Sequence, residues 1–233
     1  MIDLSHRHNT KELMDRDDIP FADMAITLKE LDLINTRLGG HAITVSGLQQ
    51  LVKNKKEITV CEIGCGGGDN LRVIHRWCQQ HGVDVSLVGI DINQECIRFA
   101  GQRNAGLPAK WICSDYAIAD LSSQKPDLIF SSLFCHHFTD DELVRMMKWM
   151  SANSSTGFFI NDLHRHPMAY YLIKYITRFF SRSYLVKNDA AVSVSRGFTR
   201  ADLQKIFNRA GLPQPRISWR WAFRWLVIHQ QQQ

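Results

Sequence analysis

Val60-Cys61-Glu62-Ile63-Gly64-Cys65-Gly66-Gly67-Gly68-Asp69 runs from an apolar, β-branched segment into a cluster of glycines and then into a helical pattern. Glycines at a strand-to-helix junction let the chain turn sharply and leave room for a ligand to touch the backbone. A dinucleotide-binding turn has the same look, but its sixth position, counted from Gly64, calls for Gly or Ala, and Asp69 stands there. The turn is shaped for something other than a pyrophosphate. On the glycines alone it also reads as a tight structural turn, so the flanking segments decide.

Ile90-Asp91-Ile92 closes the next strand pattern, 27 residues beyond Gly64. A carboxylate at that strand end can accept hydrogen bonds from both hydroxyls of a ribose, so Asp91 reads as selecting a nucleoside. The third strand pattern ends in Ser114-Asp115-Tyr116, where Asp115 is placed to accept from an adenine amine. Strand patterns over 58–63, 85–92, 109–113 and 127–134 alternate with helical stretches reaching His81 and Gly106, which predicts βαβ units and a parallel sheet. Thr139-Asp140-Asp141-Glu142 opens another helix with a capping box, and Leu143, Met146, Met147 and Met150 form its inward stripe. A fifth strand covers 157–163. The last helix opens at Thr199 to Asp202 and closes at Gly211. The runs 216–221 and 223–229 lie too close together for a crossover and read as an antiparallel pair, with 230–233 as a frayed tail. Residues 1–56 read as an N-terminal helical cap, and 57–233 as the main domain.

The ordered set Glu62, Gly64, Gly66, Gly68, Asp91 and Asp115 resembles the class I S-adenosylmethionine-dependent methyltransferases, whose motif E/D-x-G-x-G-x-G is matched without a gap. The resemblance covers about 57–163. It implies an α/β fold: a Rossmann-like seven-stranded sheet, mostly parallel with an antiparallel last strand and helices on both faces. An N-terminal helical extension and a helical insertion after strand 5 would be added to it. It further implies S-adenosyl-L-methionine as cofactor. Glu62 would order its methionine end, Gly64, Cys65, Gly66 and Ile92 would contact the cofactor, and Asp91 would hold the ribose. Asp115 and Tyr116 would flank adenine, and Ser131 with Ser132 would close the site. Glu12-Leu13-Met14-Asp15, the stretch 35–40 and Asn161-Asp162-Leu163 are similar to segments of a small-molecule subgroup that accompanies aromatic polyketide pathways, which points to secondary metabolism.

Methyl transfer is an in-line displacement, so the protein mainly aligns the reactants and excludes water, and a phenol or acid must also lose a proton. Phe134-Cys135-His136-His137-Phe138 places two imidazoles after the fourth strand, at the sheet edge where open α/β proteins bind ligands. His137 leads as general base, followed by His136, which reads first as a structural hydrogen-bond donor. His164, after the fifth strand, is a third candidate. No i, i+4 histidine pair or cysteine spacing supports a metal, and none is expected. The segment 164–198 is too long for an ordinary connection and sets Tyr170, Tyr171, Tyr175 and Phe179 beside Lys174, Arg178 and Arg182, with Asp189 its only acid. It reads as a substrate lid, as a face for peripheral contact with an anionic membrane, or as a solvated helix. The expected reaction is O-methylation of a small hydrophobic aromatic acceptor that is phenolic, quinone or polyketide-like.

With 233 residues the chain can bury one good-sized core. The charged N-terminal stretch 1–18 and the lack of a long apolar run predict a cytoplasmic protein. Six cysteines scattered singly read as reduced, mostly buried thiols. A net charge of +5 keeps RNA or DNA methylation as a rival. Enzymes that methylate base amines usually carry an Asp/Asn/Ser-Pro-Pro-aromatic run where this chain has Ser131-Ser132-Leu133-Phe134, which argues against that rival. A non-catalytic S-adenosylmethionine-binding regulatory scaffold is the other, and the intact Glu62 and Asp91 argue against it.

Overall fold

Six consecutive buried residues in β1 (Glu57–Ile63) mark it as the middle of a sheet covered on both faces. The computed structural model describes residues 2–16, 18–53, 55–121 and 125–231. It sets six further strands around β1: β2 (Asp84–Asp91), β3 (Ala109–Cys113), β4 (Leu128–Ser132), β5 (Gly157–Leu163), β6 (Arg216–Arg220) and β7 (Arg224–Gln230). Their order is β3-β2-β1-β4-β5-β7-β6. All neighbours pair in parallel except β7, which runs antiparallel to both β5 and β6. This is the expected Rossmann-like sheet. Strand order reverses between β2 and β4 on either side of β1, which opens a crevice at their carboxyl ends.

Among the described residues are eight α-helices, α1 (Phe21–Arg37) and α2 (Gly40–Val52) before β1, and α3 (Asp69–Gln80), α4 (Gln94–Arg103), α5 (Asp140–Asn153), α6 (Pro167–Phe180), α7 (Tyr184–Arg196) and α8 (Arg200–Ala210) after it. On one face Ile43, Leu48 and Leu51 of α2 and Ile74 of α3 pack on Val60 and Phe159. On the other, Met146 of α5 and Phe207 of α8 pack on Ile129 and Phe158. Thus α2 is a layer of the fold, and a boundary at residue 57 cuts through shared packing. A Cβ on Gly47 would lie 2.5 Å from the Phe159 ring, so only a glycine lets this helix sit so close. Truncating Phe159, which is fully buried, would cost about 3–5 kcal/mol.

The two capping boxes form as read, Thr139 with Glu142 at α5 and Thr199 with Asp202 at α8, and Gly211 closes α8 in the left-handed region. β4 stops at Ser132, two residues short of the run read from sequence, because Leu133 adopts a positive φ of 52° and turns the chain out of the sheet. The expected frayed tail is partly ordered. Gln230 belongs to β7, the amide of Gln231 donates to the Thr156 carbonyl at 3.0 Å, and 232–233 lie outside the described residues. Five of the thiols are buried, but Cys113 is exposed because β3 is an edge strand. Among the described residues no helix is long and apolar enough to cross a membrane.

Candidate functional site

The glycine turn leaves β1 and enters α3 beneath the crevice. Gly64 has φ 66°, and a Cβ there would lie 2.2 Å from the Phe134 ring, so the turn must lack a side chain both for its backbone angle and for its neighbour. The Cys65 amide donates to the Ile90 carbonyl at 3.0 Å and ties the turn to β2. Asp69, the residue that sets this turn apart from a dinucleotide site, accepts from His41 Nε2 of α2 at 2.7 Å.

Asp91 ends β2 and faces the turn. Its Oδ2 accepts the Gly66 amide and its Oδ1 the Asn93 amide, both at 2.9 Å. Burial pushes its carboxyl up, against the pull of those two amides and of His137 nearby. Each oxygen keeps a further lone pair for a hydroxyl. Glu62 lies deeper. Its Oε1 accepts from Asn70 Nδ2 at 2.9 Å, whereas Oε2 is buried without a hydrogen-bond partner. Burial first, and the Asp69 charge second, hold the Glu62 carboxyl well above the usual range. A buried acceptor in that state is matched by a cationic donor, so the residues fit the ammonium and ribose of S-adenosylmethionine at Glu62 and Asp91 respectively.

The paired histidines occupy a 3-10 turn, Cys135–His137, between β4 and α5. His136 is buried with both ring nitrogens engaged: Nδ1 lies 2.8 Å from Asp162 Oδ1 and Nε2 lies 3.3 Å from Glu12 Oε1. Burial alone would lower its pKa, but Asp162 and then Glu12 outweigh that and lift it to about 9. Glu12 and Asp162 are correspondingly held below the usual carboxylate range, although burial opposes it in both. His136 is therefore an imidazolium between two carboxylates at neutral pH, which is no base. His137 is more open: its Nδ1 lies 3.1 Å from Asp15 Oδ1 and its Nε2 3.9 Å from Glu12 Oε2. The carboxylates of Glu12 and Asp15 come from the N-terminal 3-10 turn Leu13–Asp15, whose Leu13 and Met14 amides donate to Asp189 of α7 at 2.8 and 2.9 Å. Arg196, also of α7, clamps the histidine turn by donating to the carbonyls of His136 and His137.

Other candidates lie around this centre. Ile92 is exposed at the crevice, and Asp115 caps a short turn by accepting the Ala117 amide at 2.9 Å. Tyr116 packs edge-on against Phe138 and Trp149, and burial pushes its hydroxyl up to about 12. Ser131 and Ser132 are buried in β4, the first against Cys135 Sγ at 3.1 Å and the second accepting from Asn161 Nδ2 at 3.3 Å. Both hydroxyls are thus engaged within the fold. His164 stands on another wall, against Trp225, with its pKa lowered by burial and by His166 and Arg165. Tyr171, Tyr175 and Phe179 of the expected lid are exposed on α6, and Tyr170 stacks edge-on to Tyr171. Tyr171, Tyr175 and Phe179 lie on the side of α6 opposite the buried Ala169 and Thr177, whereas Tyr170 is half-buried.

Among the described residues two clusters bring three metal-capable atoms within 4.8 Å of one another, Glu12-His136-His137 and Asp32-His41-Asp69. Both are internally balanced, the first by the His136 imidazolium and the second by Arg72 and Arg103 on Asp32 at 2.7 and 2.6 Å.

Residues 60–157 match the family described as methyltransferase domain. No curated protein matches the chain significantly. Among solved structures, magnesium protoporphyrin IX methyltransferase from Synechocystis with bound SAH is 19% identical over 84% of each chain, with a TM-score of 0.56. A SAM-dependent methyltransferase from Aquifex aeolicus is 15% identical over 88% of this chain and 97% of its own, at a TM-score of 0.64. Human N-acetylserotonin methyltransferase in complex with SAM is 14% identical over 91% of this chain and 56% of its own, at 0.65. At these identities the likeness is one of fold.

Proposed function

We infer that this chain, a class I methyltransferase by its matched domain and its sheet, transfers a methyl group from S-adenosylmethionine to an oxygen of a small hydrophobic aromatic acceptor. Phenolic, quinone-derived and polyketide-like acceptors fit, and so does a place in secondary metabolism. The observation that carries the reading is the position of the Asp15–His137 pair at the same sheet edge as Glu62 and Asp91.

When bound, S-adenosylmethionine supplies an electrophilic methyl group. Glu62 would hold the ammonium of its methionine end, and Asp91 the ribose. Tyr116 would flank the adenine, with Asp115 placed to accept from its amine, and Ile92 would line the same cradle. His137 takes the acceptor's hydroxyl proton: Asp15 fixes Nδ1 as the protonated nitrogen, leaves Nε2, 3.9 Å from Glu12 Oε2, as the accepting one, and steadies the imidazolium that forms. His136 is a positioning residue. Its two carboxylate partners fix the turn that carries His137, and Glu12 adds a negative field beside the nascent imidazolium.

Purified protein with labelled cofactor and a panel of phenols, hydroquinones and aromatic acids, read by mass spectrometry, tests the reading. A mass gain of one methylene on a phenolic acceptor is expected. Label in transfer RNA with none in any phenol would overturn it.

A further inference from the structure

Helix α6 carries its large apolar residues on the outside. Its inward side is formed by buried Ala169 and Thr177 with half-buried Tyr170 and Ile173. Met168, Tyr175 and Phe179 are 57%, 56% and 75% exposed, Tyr171 and Leu172 are exposed beside them, and Phe180 at the helix end is 83% exposed. At about 100° per residue, positions 168, 171, 172, 175 and 179 share one sector of about 100°, and Lys174 and Arg178 border it. Arg182 and Lys187 extend the positive flank, and no acid occurs between Asp162 and Asp189. Glu30 of α1 reaches this region, but its carboxylate is taken up by the Ser181 hydroxyl and the Arg182 and Ser183 amides. The β6–β7 hairpin continues the surface: Phe223 stacks on His166, the residue that caps α6, at 5.2 Å, and Trp219 and Trp221 are 45% and 66% exposed beside Arg220.

A contiguous exposed apolar surface of this kind marks an interaction site. We propose that it is a membrane-docking surface for bilayers bearing anionic lipid. α6 lies in the headgroup–acyl boundary with its aromatic sector inward, Lys174, Arg178 and Arg182 meet the phosphates, and Trp219 and Trp221 anchor the hairpin tip at the interface. A second copy of the chain fits the same surface poorly. A two-fold seam centred on α6 would bring the Lys174 and Arg178 of both copies together, with no acid on α6 or the β6–β7 hairpin to meet them. Tryptophan and lysine or arginine around an aromatic sector match the layered chemistry of a lipid surface. The inference does not depend on the methyl-transfer reading, since these side chains lie outside the cofactor and histidine sites.

Co-sedimentation of the full chain with vesicles of phosphatidylcholine, alone or mixed with phosphatidylglycerol, tests it, with light scattering of the free protein alongside. The protein is expected to pellet with the mixed vesicles and to be released by salt. The double variant Phe179→Ser/Phe180→Ser should lose this binding, and Lys174→Glu/Arg178→Glu should weaken it roughly tenfold or more. Both should keep the parent's melting temperature and cofactor affinity, because only exposed side chains change. Equal pelleting of parent and variants would overturn the proposal. So would a concentration-dependent dimer, without vesicle binding, that the double Phe variant abolishes.

Discussion

Replacing His136 with Asn removes the cation shared by Asp162 and Glu12, which are 1% and 3% exposed. Asp162 keeps the Leu163 and Phe134 amides at 2.7 and 3.2 Å, so the loss falls mainly on Glu12. Breaking a buried ion pair by deleting one partner costs about 3–5 kcal/mol. For a chain of this size each kcal/mol moves the melting temperature by about 2–4 °C, so His136→Asn should melt about 6–20 °C lower at neutral pH. The pH profile separates this from simple packing loss. In the parent, His136 keeps its proton up to about 9 in the fold but only to about 6.5 when unfolded. Its stabilisation is complete below about 6.5 and is lost as pH rises through about 9. Glu12 and Asp162 are held below their ordinary values, so their contribution is present above the ordinary carboxylate range and is lost as pH falls through their folded values. The variant should lack the alkaline decline, and its deficit should shrink toward pH 5 as Glu12, left with His137 and Ser193 but without its closest cation, takes a proton. Thermal melts across this range give both readings. A variant that melts within about 2 °C of the parent at neutral pH, or follows the same pH profile, would refute the ion-triad reasoning.

Asp91→Ala should weaken S-adenosylmethionine binding by more than about tenfold in calorimetry, because two hydrogen bonds to a charged group are lost at about 1.5–3 kcal/mol each. Unchanged affinity would remove Asp91 from the ribose site. His137→Ala should lower kcat by about 10²–10⁴ while leaving cofactor affinity intact, and Asp15→Asn should lower it less. If His137→Ala keeps parental kcat on a phenolic acceptor, the base lies elsewhere. Gly64→Ala combines a left-handed φ of 66° with a Cβ 2.2 Å from the Phe134 ring, so it should displace Phe134 and abolish cofactor binding, measured by equilibrium dialysis. Retained binding would show that the turn has slack.

The sheet was legible because its strands are short apolar runs bounded by glycines, prolines and capping residues. β3 and β5 run over the residues expected. The glycine turn, Asp91 and Asp115 were legible because they lie close to their strands in sequence. Glu12 and Asp162 were visible only as parts of similar segments, since their meeting at His136 joins residues far apart in the chain, and periodicity carries no such information. The direction of α6 was missed for a different reason. The apolar sector of α6 is plain in its period, but whether it faces a pocket or solvent is set by packing against α7, and periodicity does not report which partner a face meets.

The place of β7 between β5 and β6 has a bearing on how the chain is made. Everything up to Leu163 can be assembled while the remainder is still being synthesised, but the edge of β5 then has no partner, and β6, although made first, has nothing to join. At about 5–20 residues per second the interval from Leu163 to Gln230 lasts on the order of 3–15 s. During that time a bare hydrogen-bonding edge flanked by Phe158 and Phe159 is open to other nascent chains. The step that completes the sheet is an insertion between two waiting strands, so truncation within 224–230 should strand the product as an aggregating half-sheet rather than trim a dispensable end.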